Sequence, residues 1–252
     1  MPKVNVYLPD DLAEAVRDAG IPVSPLCQHV LHLAVRRLAA IRDASRSDLD
    51  PATDPAAGLT QFTERACNAV RSAVDTARAG GAPAVDTGHL LGGLLAEGNN
   101  LALLILRSLE IEPAKIVGDL AAATAGPDRT EPHADSWRFS DPAGEALRLA
   151  VTESFALGHN YVGCEHLLLG LVTEPHGVAG GVLRALGADQ RMSRRAVAAA
   201  LHGFVHARSQ ATAPATAVPD ASALAAAVAA QLNPIAERLD RLERRLAEVS
   251  GD

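Results

Sequence analysis

Residues 62–123 and 139–206 repeat one another in one gapless register. A shift of 77 residues lays Phe62 on Phe139, Ala66 on Ala143, Arg71 on Arg148, Val74 on Val151 and Gly81 on Gly158. The same shift continues through His89 on His166, Leu90-Leu91 on Leu167-Leu168, Gly93 on Gly170 and Leu106-Arg107 on Leu183-Arg184. Whatever one half forms, the other must form too. Each half is too short to bury all its apolar surface, so the pair is expected to pack as one domain over 59–206.

Each half reads as four helices. Apolar residues make up 48% of the chain but aromatics only 3%, so the apolar share is mostly Ala, Leu and Val, of which Ala and Leu are the stronger helix formers. The first helix of each half follows a capping hydroxyl, Thr63 or Ser140. Its apolar positions (Ala66, Ala69, Val70, Ala73, Val74, and Ala143, Ala146, Leu147, Ala150, Val151) keep the spacing that buries one face. The second helix carries Leu90, Leu91, Leu94 and Leu167, Leu168, Leu171; the third Ala102, Leu106, Leu109 and Ala179, Leu183, Leu186. A fourth follows Glu112-Pro113, matched by Ala196, Val197, Leu201 and Phe204. The fold class is mainly α.

Several functions are excluded early. The lysines are Lys3 and Lys115, and neither stands in the GxxxxGK[ST] context of a phosphate-gripping loop. A net charge of −7 gives no general attraction to nucleic acid or anionic lipid. Cys27, Cys67 and Cys164 are odd in number and scattered, which does not suit a disulfide framework. The first residues, MPKVNVYLPDD, do not read as a signal peptide, and no run approaches the roughly 18 apolar residues of a membrane span. The expected compartment is the cytoplasm, with no membrane partner.

Flanking the repeats are a head (1–43), two stretches read as linkers (44–58 and 207–222) and a tail (223–250). Lys3 to Leu8 alternates polar and apolar residues as a strand does; Pro9-Asp10 opens a helix, Gly20 stops it, and Ser24-Pro25 opens a second carrying Leu26, Val30, Leu33, Ala34 and Leu38. Strand, helix, helix in this length resembles the ribbon-helix-helix family, which folds as an intertwined dimer. In the tail, Leu232, Ile235, Leu239, Leu242, Leu246 and Val249 alternate spacings of three and four, a coiled-coil heptad. Head and tail both predict a homodimer.

The segment GHNYVGCEHLLLGLV, residues 158–172, resembles the GHxYIGTEHLLLGL signature of the Clp N domain of ClpC-type unfoldases. The first-repeat counterpart, GAPAVDTGHLLGGLL at 81–95, keeps the helix but loses the His-Asn-Tyr and the Glu. The resemblance covers about Leu59 to Ala207 and implies a non-catalytic, cofactor-free domain that binds peptides, adaptors or cyclic-peptide antibiotics. It suggests a stand-alone relative of ClpC, without AAA+ modules, with ClpC itself as a candidate partner. By the resemblance, a ligand groove between the two first helices falls on Leu59, Val70, Phe139, Val151 and Phe155. A site of the phosphoarginine type would use Glu165, although Gly88 stands at the equivalent place of the first repeat.

Other residues carry less chemistry than their types suggest. Cys164 and His166 could be a nucleophile and base, but near neighbours at a helix start do not normally face each other. His29 with His32, and His202 with His206, sit at helical spacings that suit two metal ligands, yet no third or fourth ligand completes either set, so no metal is expected. In the ribbon-helix-helix reading, Lys3, Asn5 and Tyr7 would contact DNA. The head holds five basic and five acidic side chains, a balance that offers little phosphate neutralisation. The expected function is a dimeric binding protein that modulates or protects the ClpC–ClpP protease by competing for its ligands. The alternative is a transcription regulator in which the head binds DNA and the repeats sense a ligand.

Overall fold

The computed structural model describes residues 4–124 and 137–211, with side chains as far as Leu201. Among these residues it is mainly helical, with ten helices and no strand. Two lie in the head, α1 (Asp10–Asp18) and α2 (Val23–Arg46). The first repeat contributes α3 (Glu64–Ala79), α4 (Thr87–Glu97), α5 (Leu101–Ser108) and α6 (Pro113–Thr124). The second contributes α7 (Asp141–Ala156), α8 (Cys164–Thr173), α9 (Val178–Ala185) and α10 (Gln190–Ala211).

Local chemistry sets the first helices as the sequence predicts. Thr63 accepts the Ala66 N–H and Ser140 the Ala143 N–H, each at 3.3 Å. Each of these residues satisfies one of the N–H groups that a helix start leaves open. After the last turns, Gly81 (φ 64°) and Gly158 (φ 74°) take the left-handed conformation, where a side chain would be strained. The buried face of α3 is mostly small: Ala66, Ala69, Ala73 and Ala77 are all sealed from solvent. That face lets α4 come close enough for Gly93 to sit against the Ala69 carbonyl, and Gly170 of α8 repeats the contact on Ala146 of α7.

The repeats are clasped by two reciprocal bridges, Phe62 with Val162 and Val85 with Phe139, which the 77-residue shift interchanges. The Thr63 N–H donates to Val162 O and the Val162 N–H to Gln61 O; the Val85 N–H donates to Arg138 O and the Ser140 N–H to Val85 O, all at 2.8–3.0 Å. Between the clasps lies one core, in which Leu90, Leu91, Leu94, Leu147, Leu167, Leu168, Leu171 and Leu183 are fully buried. Burying a leucine stabilises by about 1.5–3 kcal/mol, so these leucines hold the two halves as one body.

The head departs from expectation at three points. Val4 to Leu8 forms no strand, and Tyr7 is 91% exposed; a ribbon needs a second strand to hydrogen-bond, and the described residues supply none. α2 starts at Val23 with no side-chain cap, not after Ser24. Pro25 falls in its first turn, where a missing N–H costs nothing. α2 also runs on to Arg46, past the expected boundary at 43.

Residues 47–59, most of the stretch read as a linker, lie along the body. Leu49, Ala56 and Leu59 are buried. The Leu49 N–H donates to Trp137 O at 2.8 Å, and Asp54 takes two hydrogen bonds from Arg71, at 2.9 and 2.8 Å. The chain divides into two units, 1–203 and 204–252. α10 reaches Ala211, inside the second expected linker, and the heptad tail lies outside the described residues.

Candidate functional site

Four of the five residues expected to line the groove are core. Leu59, Val70, Phe139 and Val151 are exposed by only 2%, 0%, 4% and 1%. Phe139 belongs by its backbone to one of the clasps between repeats, and its side chain is buried in the core. Only Phe155, of the five, is partly accessible, at the last turn of α7. The Arg37 guanidinium rests 5.3 Å from its ring centroid, a cation–π contact from α2. α2 therefore lies across the outer face of α7, where Ile41 and Ser45 are buried. Ile41 and Ser45 were not legible as site residues. The signal was present, since Ala34, Leu38, Ile41 and Ser45 continue one helical stripe through the expected boundary.

The signature segment forms a second constellation. The Gly163 N–H donates to His166 Nδ1 at 2.9 Å, so His166 acts as the N3 residue of a helix cap. With Nδ1 accepting, neutral His166 carries its proton on Nε2 and donates it to His159 Nδ1 at 2.8 Å. His159 in turn stacks on Tyr161 with centroids 5.1 Å apart. The His159 and Tyr161 rings of the signature thus pack around the buried His166, with edge-on centroid distances of 5.0 and 5.6 Å. Burial, and then the neighbouring His159, push the His166 pKa down to about 3.

This geometry does not pair Cys164 with His166, whose two ring nitrogens are taken by the Gly163 N–H and His159. Cys164 is 3% exposed, and burial first, then Glu97 and Glu165, push its thiol up to about 12. A thiol so far from ionising is a poor nucleophile at neutral pH. Cys164 is also the first helical residue of α8, the cap position being Gly163. Glu165 is 5% exposed, and its carboxyl lies against Gly163, where any β-carbon would overlap it. Burial raises its pKa. In this arrangement Glu165 points inward and presents no carboxylate to a ligand, while Gly88 at the equivalent place lies under Val178.

In the head, Asn5 and Tyr7 are exposed and Lys3 lies outside the described residues. His29 and His32 are exposed on α2. Among the described residues no three His, Cys, Asp or Glu side chains converge as a metal site would require, and no single helix is long and apolar enough to cross a membrane.

Comparison with known proteins gives the constellation its context. The family model described as the Clp repeat (R) N-terminal domain matches residues 61–136 and 138–247. The chloroplastic ATP-dependent Clp protease ATP-binding subunit ClpA homolog CD4B of Solanum lycopersicum is 37% identical over 142 residues, spanning 54% of this chain and 14% of that protein. The ClpA homolog of Cyanidium caldarium is 40% identical over 136 residues, spanning 51% of this chain and 15% of that protein. Among solved structures, the N-terminal domain of the chaperone ClpD from Arabidopsis thaliana is 29% identical, with a TM-score of 0.45, and the match covers 58% of this chain and 99% of that domain. The similarity to the curated relatives thus spans about one-seventh of their length. With both repeats matched over more than half its length, the chain belongs to the Clp repeat N-terminal domain family.

Proposed function

We propose that this protein is a non-catalytic, cytoplasmic binding protein whose Clp repeats capture peptides, adaptor segments or cyclic-peptide antibiotics. By holding such ligands it modulates or protects a ClpC–ClpP protease that would otherwise meet them. The observation that carries this reading is the outer face of α7, where a half-buried aromatic, Phe155, sits under a helix that is not part of the repeats. A face that already accepts helix side chains has the shape and polarity a peptide needs.

Phe155, rather than the clasped Phe139, is the residue expected to anchor a ligand. A buried aromatic anchor can carry about 2 kcal/mol or more of an interface. Titrating a fluorescent ClpC-directed cyclic peptide into the protein should show saturable binding by tens of micromolar, roughly the weak end of specific recognition. Phe155→Ala should weaken it about tenfold or more while leaving the circular dichroism spectrum unchanged. Failure of the wild-type protein to bind would remove the cyclic-peptide form of the reading.

A second reading concerns the head. Leu12 on α1 and Leu26, Val30 and Leu33 on α2 are 46%, 50%, 53% and 39% exposed, apolar side chains that one chain leaves open to a second copy. This supports a homodimer whose paired head strands, bearing Lys3, Asn5 and Tyr7, would contact DNA in a transcription regulator. Light scattering at micromolar concentration tests the dimer. Retardation of a promoter fragment, abolished by Asn5→Ala with Tyr7→Ala, tests the DNA contact.

A further inference from the structure

α2 is an unbroken helix of 24 residues whose two halves have different surroundings. Leu26, Val30, Leu31 and Val35 are 50%, 53%, 58% and 65% exposed. Ala34, Leu38, Ile41 and Ser45, three or four residues apart, form one stripe that turns onto α7. The fit is specific at Gly144: a β-carbon there would lie 2.9 Å from Ser45 Oγ. Arg37 covers Phe155 one turn before Ile41. Yet Ile41 and Ser45 are the only buried residues of α2, whereas the first helices of the repeats each bury seven. A contact with so little buried surface opens before the body does.

We propose that the outer face of α7 is a helix-docking surface whose resting occupant is residues 34–46 of this same chain. A ligand reaches Phe155 only when that segment lifts away. The occupant the face fits is an amphipathic helix with small or branched residues on one stripe and an arginine beside the aromatic ring. Residues 47–59 keep their own hold on the body through Asp54–Arg71 and Leu49–Trp137. The released segment thus stays tethered nearby at high effective concentration. The apparent dissociation constant of any ligand is then the intrinsic one divided by the fraction of molecules in which the segment is undocked. The inference rests on the reading of Phe155 as a ligand contact, and its test separates the two.

The probe is a fluorescein-labelled peptide of residues 34–47, followed by anisotropy with three full-length proteins: wild type, Ile41→Asp, and Ile41→Asp with Gly144→Leu. Ile41→Asp should bind the peptide about tenfold or more tightly than wild type, because its own segment no longer competes. Adding Gly144→Leu should abolish that gain by filling the space Ser45 needs. Hydrogen exchange on the same proteins should show residues 37–46 losing protection in Ile41→Asp while α3 and α8 keep theirs. Equal peptide binding by wild type and Ile41→Asp, binding by none of the three, or unchanged protection of 37–46 would each overturn the proposal. Protection of 37–46 that falls on diluting the wild-type protein would assign the docked helix to a second copy and overturn it too. A cyclic peptide that binds wild type and Ile41→Asp equally keeps the function and sinks the strap. Peptide exchange without any cyclic-peptide binding does the reverse.

Discussion

The two repeats share one backbone plan but close their helix ends differently. At the start of α4, Asp86 accepts the His89 N–H at 2.9 Å and His89 Nδ1 accepts the Asp86 N–H at 3.1 Å, so both open donors are satisfied. At the start of α8, His166 keeps its half of that box, but Gly163 has no side chain to give the other half, and the Glu165 carboxyl fills the space. One helix later the second repeat again lacks the cap that the first repeat has. Asn100 caps α5 from within its own repeat, accepting the Leu103 N–H at 3.1 Å. Gly177 stands at the equivalent place before α9, and a hydroxyl of the first repeat, that of Thr87, serves there instead, accepting the Ala179 N–H at 3.2 Å. A residue lost from one copy has been replaced across the clasp, so the degenerate first repeat is a structural partner of the second.

The widest test asks whether the shared plan is equally strict in both copies. Gly93 and Gly170 are related by the repeat, and a β-carbon at either would overlap a backbone carbonyl and lie 2.8 Å from a backbone nitrogen, of Ala73 or Ala150. Backbone cannot swing aside as a side chain can. Gly93→Ala and Gly170→Ala should each cost about 2–4 kcal/mol in urea unfolding, at the upper end of overpacking effects. Unequal losses would show that the packing, and not only the caps, has diverged.

The packing plan was legible from residues. Thr63 and Ser140, the alanine face of the first helices and the Leu-Leu pairs are local patterns, and the register of the repeat extends them from one half to the other. The clasps were not legible, because Phe62 meets Val162 and Phe139 meets Val85 across long sequence separations. The resemblance places Phe139 in a groove, whereas its side chain is buried in the core. The docked end of α2 was missed because Ala44, Ser45 and Ser47 suit a loop in isolation; Ser45 becomes helical core only where Gly144 gives it room. The role of His89 and His166 as caps is signalled in the sequence only by their place three residues after Asp86 and Gly163.

A pH profile sharpens the contrast at the helix starts. Unfolded His166 takes up a proton near pH 6.5, whereas in the folded protein its pKa falls to about 3. Below pH 6.5 the unfolded chain then binds more protons, so stability falls with falling pH, by at most about 1.4 kcal/mol per unit. Between pH 6.5 and 5 this amounts to about 2 kcal/mol. Glu165 acts in the opposite sense. Its folded pKa is raised above 4.5 by burial, so the folded state binds a proton first and gains stability as pH falls through that raised value. Chemical unfolding measured at several pH values should show His166→Gln flattening the acid loss and Glu165→Gln steepening it. No change of slope in either variant would mean that the His159–His166 pair is not held as described.

The smallest effect is the most diagnostic of exchange between the repeats. Thr87 is 1% exposed and its hydroxyl serves α9, in the other repeat. Losing a capping oxygen typically costs about 1 kcal/mol. Thr87→Val should therefore destabilise by about that amount, and hydrogen exchange should rise first at Ala179, 92 residues away. Asn100→Ala should instead act within its own repeat, at Leu103. Gly177 cannot simply regain a cap, because a β-carbon there would meet Thr87 Cγ2 at 2.5 Å. Gly177→Asn alone should be destabilising, and part of that loss should return when Thr87→Ala makes room. If exchange in Thr87→Val rises only within α4, the hydroxyl serves its own helix and the two repeats cap themselves independently.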